Sequence, residues 1–283
     1  MKTTLISATA IALLGAPVFA DGHGQPVTGY ALGADGTSLV TLPGLMETGE
    51  TVTLSGILAA IAYRPVTGEL IGIAPNAAVY TIDTETGELT ATDNLIGENV
   101  GISEGAMVGF DFNNNIDAIR IVATDGSNHV YFPAGFGDND ERANSVRRFT
   151  DLFYADGDAN AGATPAVFAS AYTNAINGAT ASETLQYVLD AETDSLLTLA
   201  NNEGTLTTVA ALTLDGAPVD ISAMGDLEIV SPAEGENMAY AVLMMEGADT
   251  SGLYAVDLET GALTMQADLG AMGFNGFAAM LAD

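Results

Sequence analysis

The chain has 283 residues, of which 48% are hydrophobic and 15% charged, a balance that excludes a disordered polar polymer. Its 37 acids face six bases, for a formal net charge of −31 at pH 7. Nothing in such a chain displaces counterions from phosphate, so nucleic acid and anionic membrane surfaces are excluded as partners. The acidity reads first as a solvated surface suited to a saline exterior, and second as a capacity to bind cations. There is no cysteine, so stability rests on packing and not on disulfides or thiolate metal sites.

Residues 1–20 read as a secretory signal peptide, with Lys2 at the positive start, an apolar run from Leu5 to Leu14, and Val18-Phe19-Ala20 at the cleavage positions. The mature chain then begins at Asp21 and is expected to be exported, either periplasmic or extracellular. No later stretch reaches the roughly 18 uninterrupted apolar residues of a membrane span. Residues 21–283 are expected to form one domain.

Three alternating segments follow, Val27 to Leu32, Ser38 to Leu42 and Thr51 to Leu54, and each reads as a strand. Pairs of apolar strands come next: Ile57 to Tyr63 with Leu70 to Ile73, and Val108 to Phe112 with Ala118 to Ala123. Pro133 to Ala163 is irregular and rich in Gly, Asp and Asn; it holds Arg142, Arg147 and Arg148 within Glu141 to Phe149, which reads as a short helix. Long insertions on a rigid scaffold are where function tends to lie, so this segment is the first place to look for it. Val167 to Thr173 reads as a strand, although its alanines also allow a helix; Leu227 to Val230 and Met238 to Met245 form a further pair.

Self-similarity decides the architecture. Tyr80-Thr-Ile-Asp83-Thr-Glu-Thr86-Gly87 matches Tyr254-Ala-Val-Asp257-Leu-Glu-Thr260-Gly261, and a looser copy runs from Tyr187 through Asp190 to Thr198 with Asp194 in the glycine position. Each is a hairpin in which the Asp caps turn amides and the last residue takes a left-handed conformation. First strands recur at roughly 50 to 60 residues, room for four strands per unit. The expected fold is an all-β propeller of about five four-stranded blades, or six if the irregular segment hides more strands. Gly276 to Leu281 is expected to serve as the first strand of a composite blade with the three N-terminal strands, which closes the ring and protects its edges.

Three runs carry a family resemblance: Tyr63-Arg64-Pro65-x-Thr67-Gly68-x-Leu70-x-Gly72; Gly109-Phe110-Asp111-Phe112-Asn113 with Asp117-x-Ile119-Arg120; and Gly157-Asp158-x-Asn160-Ala161-Gly162-x-x-Pro165 leading to Ala171-Tyr172-Thr173-Asn174. In these the chain resembles an uncharacterised bacterial secreted family, domain of unknown function 4394, from about Val27 to Leu214. The resemblance implies a propeller-like fold and lends no activity. Asn114 stands where family members often carry Pro, and the segment after Pro133 replaces a shorter hairpin.

Chemistry is sparsely signalled. The only histidines are His23, near the start of the mature chain, and His129, on a predicted strand, and no nucleophile-elbow sequence accompanies either. Zinc ligands are nearly absent, whereas oxygen ligands are plentiful. Asp156, Asp158 and Asn160 alternate as in calcium loops and are the candidate calcium ligands, with an Asx-stabilised turn as the competing reading. Arg64, Asp111, Asn113, Asp117 and Arg120 are the candidate ligand-binding residues. The stronger expectation for Arg64 and Arg120 is structural, each forking onto a carboxylate such as Asp111 or Asp117. The absence of Trp removes the usual platform for sugar rings, though nine Tyr remain. These features favour a non-catalytic binding or scaffold module for a small ligand, cation or protein. The alternative is a calcium-assisted hydrolase or lactonase with carboxylate ligands in a central channel.

Overall fold

A computed structural model describes residues 27–270 and 272–282, so the expected signal peptide and His23 lie outside the described residues. Apolar sequence forms mostly antiparallel strands, and these assemble into five sheets. The first sheet holds β1 (Val27–Gly33), β2 (Ser38–Pro43) and β3 (Thr51–Thr53). Blade 2 holds β4 (Ala60–Arg64), β5 (Glu69–Ile73), β6 (Val79–Ile82) and β7 (Leu89–Ala91). A short β8 (Leu95–Ile96) leads to blade 3, with β9 (Val108–Asn113), β10 (Ala118–Ala123), β11 (Asn128–Phe132) and β12 (Ser145–Arg148). After β13 (Phe153–Tyr154), blade 4 holds β14 (Val167–Tyr172), β15 (Gln186–Asp190), β16 (Ser195–Ala200) and β17 (Thr205–Ala211). The two-residue strands β18 (Thr213–Leu214) and β19 (Ala217–Pro218) precede blade 5, with β20 (Ile221–Ala233), β21 (Glu236–Met245), β22 (Ser251–Val256) and β23 (Ala262–Asp268).

The last strand, β24 (Phe274–Leu281), pairs antiparallel with β1 and becomes the innermost strand of blade 1, from Val27 opposite Leu281 to Ala31 opposite Phe277. The innermost strands β24, β4, β9, β14 and β20 touch their neighbours in a complete ring. The architecture is therefore a five-bladed propeller shut by both chain ends, as the sequence leads one to expect.

Each gap between blades is filled by apolar side chains. Ile61, Leu70 and Ile82 meet Leu32 and Leu39 between blades 1 and 2, and Ile71 and Ile73 meet Phe110, Phe112 and Ile119 between blades 2 and 3. Phe168, Leu189 and Leu196 meet Leu227, Ile229 and Leu243 between blades 4 and 5, and Val230 and Leu253 meet Phe274 and Phe277 where the ring closes. The gap between blades 3 and 4 differs: of the β9–β12 strands only Val122 joins its main apolar cluster, Ala118, Val130 and Phe132 form a separate small one, and buried polar side chains, among them Asp111, Arg120 and Asn128, lie on the same face of blade 3.

The repeated turns form as expected. Asp83 Oδ1 accepts the amides of Glu85 and Thr86, Asp257 Oδ1 those of Glu259 and Thr260, and Gly87 and Gly261 take φ of +76° and +68°. A Cβ on Gly87 would lie 2.2 Å from the Thr53 carbonyl oxygen, so both backbone conformation and space require glycine there. The looser copy has the same left-handed residue, Asp194 at +49°, but joins strands two and three of its blade, whereas the other two copies join strands three and four.

Two expectations are corrected. Glu141 to Phe149 is not a helix: its Ser145–Arg148 portion is β12, held against β11 with Val146 fully buried. The irregular segment does contain strands, but β12 completes blade 3 and β13 joins blade 4, so no sixth blade arises. Blades 3, 4 and 5 exceed four strands because the chain, before entering each blade, runs parallel along that blade's outer strand as β8, β13 or β18. These additions cover edges that would otherwise stay open.

Candidate functional site

An innermost propeller strand has one edge with no neighbouring strand, and its inward amides need acceptors once buried. Three buried acids supply them. Asp111 on β9 accepts the Tyr172 amide at 2.7 Å; Asp226 on β20 accepts the Ser170 amide at 3.2 Å; Glu228 on β20 accepts the Ala279 amide at 3.3 Å. Each bond ties one innermost strand to another. Burial pushes the Asp111 carboxyl up to about 8, against the opposing pull of the Tyr172 and Phe112 amides. Asp226 and Glu228 are also raised, first by burial, with the Asp111 charge adding to both. Among the described residues no group of three or more His, Cys, Asp or Glu side chains is arranged to hold a metal ion.

The segment 173–185, between β14 and β15, crosses the lower face, where the innermost strands end. Asn177 Nδ2 donates to the Leu281 carbonyl of blade 1, and the Gly178 amide to the Pro65 carbonyl of blade 2. The Ala181 amide donates to the Asn114 carbonyl of blade 3, and the Ala175 amide to Ser231 Oγ of blade 5. One loop from blade 4 thus reaches all four other blades and lies across the lower end of the channel. Asn174, at φ +63°, anchors it: its amide donates to Asn237 Oδ1, its Nδ2 to the Glu183 carbonyl, and its carbonyl accepts Asn114 Nδ2 at 2.7 Å.

On the opposite, upper face, where the innermost strands begin, the connecting segments leave a cleft of about 670 Å³ between blades 1, 2 and 3. Ile57, Leu58, Ile102 and Met107 give it apolar surface, and Asp35 and Glu104 give it negative charge. No base is among the described residues that line it. The Thr37 backbone amide holds the Asp35 carboxyl below its usual range, so it stays ionised. Asn275 donates to the Ala34 carbonyl, and its Oδ1 is buried without a hydrogen-bond partner.

The residues singled out in the sequence sit elsewhere, and several join blades. Arg64 forks onto Asp117 through Nε and Nη2, with Nη1 3.3 Å from Glu69, so blade 2 is clamped to the β9–β10 turn. Arg120 is buried and finds amides in place of a carboxylate, Asn128 Oδ1 and Asn202 Oδ1 at 2.9 Å each, with its guanidinium 5.4 Å from the Phe149 ring centre. Asn113 Oδ1 accepts the Asn115 amide and Thr184 Oγ. Asp158 accepts the Asn160 amide at 2.8 Å and both the amide and hydroxyl of Thr208 at 2.7 Å, so this loop is fastened to β17; Asp156 is exposed beside it. His129 is buried, with Nε2 3.2 Å from the Gly101 carbonyl and burial lowering its pKa, the setting of a neutral core imidazole. In the irregular segment Arg142 pairs with Asp140, Arg147 with Glu141, and Arg148 with Asp151.

Sequence reasoning missed the three features that shape the channel: the lower-face loop, the upper-face cleft, and the acids of β20. The last left a trace, since Asp226-Leu-Glu228-Ile places two acids two residues apart, on one face of a mostly apolar strand.

These features define a closed five-bladed propeller whose axis is lined by acids bonded to edge amides and whose lower end is covered. The chain belongs to the domain of unknown function family DUF4394, whose sequence profile matches residues 43–278, further toward the C-terminus than its recognisable motifs run. No curated protein matches it in sequence. Among solved structures it is similar to a gluconolactonase from Xanthomonas campestris, at 13% identity and a TM-score of 0.43 over 88% of this chain and 77% of that one. It is also similar to an auxiliary nutrient binding protein from Bacteroides thetaiotaomicron, at 13% identity and a TM-score of 0.42 over 75% of this chain and 55% of that one. A protein of unknown function from the same organism gives 14% identity and a TM-score of 0.47 over 88% and 56%.

Proposed function

We propose that this protein is an exported, non-catalytic binding module that takes a small cationic, partly apolar ligand in the upper-face cleft. The observation that carries the reading is the lining of that cleft: apolar walls from Ile57, Leu58 and Ile102, two acids at Asp35 and Glu104, and no base. A concave, mostly apolar site with a few convergent polar groups is the usual form of a small-molecule site. A net charge of −31 raises the local concentration of cations and repels anions. Asp111, Asp226 and Glu228 each accept a backbone amide and are almost wholly shielded from solvent, which favours binding over hydrolysis on the same scaffold.

The test is calorimetric titration with a panel of amphipathic amines, among them tyramine, agmatine and spermidine, beside matched carboxylates and neutral sugars. The expected result is saturable binding of at least one amine, weakened by salt and by Glu104→Gln and abolished by Ala106→Trp, which fills the cleft. Binding of carboxylates or sugars that Ala106→Trp leaves unchanged would overturn the proposal, as would no binding by any amine.

A further inference from the structure

A second cleft on the upper face, of about 330 Å³, is lined by Met107, Met224, Met244 and Met245, with Ser222, Ala223, Glu246, Gly247 and Ala248 completing it. Four of the chain's ten methionines therefore share one concavity, although they come from positions as far apart in sequence as Met107, just before β9, and Met245, at the end of β21. Core methionines ordinarily fill irregular gaps. These are half-buried and border an open cleft, and Met224 and Met244 belong to none of the apolar clusters between blades.

The backbone is shaped to bring them there. Ile221 pairs with Met245 and Gly225 with Leu243, so Ser222, Ala223 and Met224 stand against the single residue Met244 in a bulge. Ser222 Oγ donates to the Met244 carbonyl at 3.0 Å and fastens the bulge to β21. Gly225 ends it at φ +133°, where a Cβ would lie 1.8 Å from the Val242 carbonyl oxygen, so no other residue fits. Bulges of this kind re-aim side chains beside functional sites. Across the cleft, the Met107 amide is held by Thr124 Oγ1 at 3.1 Å.

We infer that this cleft is a thioether site for a soft monovalent cation, Cu(I). In a chain without cysteine, methionine sulfur is the only strongly soft donor, and thioethers select Cu(I) over the harder divalent metals. Glu246 at the cleft and the overall negative charge add attraction for a cation without supplying a hard-metal ligand set.

The experiment is competition for Cu(I) between the full chain and bicinchoninate in ascorbate, repeated with Ag(I), which needs no reductant. Wild type is expected to withdraw one equivalent of Cu(I). The double variant Met224→Leu/Met245→Leu keeps apolar volume while removing two sulfurs, and its affinity is expected to fall by roughly tenfold or more. Met265→Leu, on the exposed face of β23, is expected to bind as wild type does. Circular dichroism melting establishes that each variant is folded. No withdrawal of Cu(I) by wild type, or equal withdrawal by the folded double variant, would overturn the site. Neither exchanged residue lines the larger cleft, so this outcome is independent of amine binding there.

Discussion

Asp111 of blade 3 accepts the Tyr172 amide of blade 4 at 2.7 Å, and both residues sit in runs that carry the family resemblance. The motif acid is thus an acceptor for an inward edge amide, on the face of blade 3 that also buries the polar side chains of Arg120 and Asn128. Asp111→Ala leaves that buried amide without a partner and should cost about 1–3 kcal/mol. Asp111→Asn retains an acceptor and should cost less. Urea unfolding of the two variants checks the order.

Asp111, Asp226 and Glu228 should together make stability fall as pH rises from about 4 to about 8, against the opposing His129, whose lowered pKa favours the folded chain as pH rises. Asp111 is raised to about 8 by burial, and Asp226 and Glu228 are raised too, so in this window the folded chain holds protons that the unfolded chain has released. Each such group contributes stability that is complete below its unfolded pKa and is lost as pH climbs through its folded one, with a slope of up to about 1.4 kcal/mol per pH unit. Arg120 lies opposite Asp111 in the strand register. Unfolding free energies measured across the window should show this slope, and Asp111→Asn should make it shallower.

The Arg64–Asp117 clamp is mostly shielded from solvent, with 17% and 24% of the two side chains exposed. Arg64→Ala should destabilise by about 1–3 kcal/mol, and Arg64→Lys should recover only part of that because a lone ammonium cannot fork. Thermal melts of the three proteins give the ranking.

Gly87 and Gly105 separate strain from collision. Both have positive φ, +76° and +81°, but a Cβ on Gly87 meets the Thr53 carbonyl at 2.2 Å and one on Gly105 meets nothing within 4 Å. Gly105→Ala should cost about 1 kcal/mol, and Gly87→Ala distinctly more. Chemical denaturation distinguishes the two.

The ring was legible because its signals are local. Alternation marked β1, β2 and β24, and the Asp-x-x-Thr-Gly turns marked two outer hairpins. Arg64 was readable as a clamp because a scarce base in an acidic chain seeks a carboxylate. What stayed hidden depends on contacts distant in sequence. The loop 173–185 has no periodicity, and its Asn174 and Asn177 look like turn residues until Asn237 and Leu281 are beside them. The methionine cleft joins Met107 to Met245, and β8, β13 and β18 are two residues long, too short for any period to register.

The larger upper-face cleft requires that β24 be the innermost strand of the sheet that β1 begins, because Ala34 and Asp35 after β1 and Asn275 of β24 line it together. Because the chain has no cysteine, Thr28→Cys/Met280→Cys tests this pairing directly: the two positions are direct cross-strand partners, and such partners lie within disulfide reach. Mild oxidation should link them in the folded protein, shift its mobility on a non-reducing gel and raise its melting temperature, whereas Thr28→Cys/Ala279→Cys, with side chains on opposite faces, should stay reduced. A folded Thr28→Cys/Met280→Cys protein that remains reduced, or crosslinks no better than the offset pair, would contradict the closed ring.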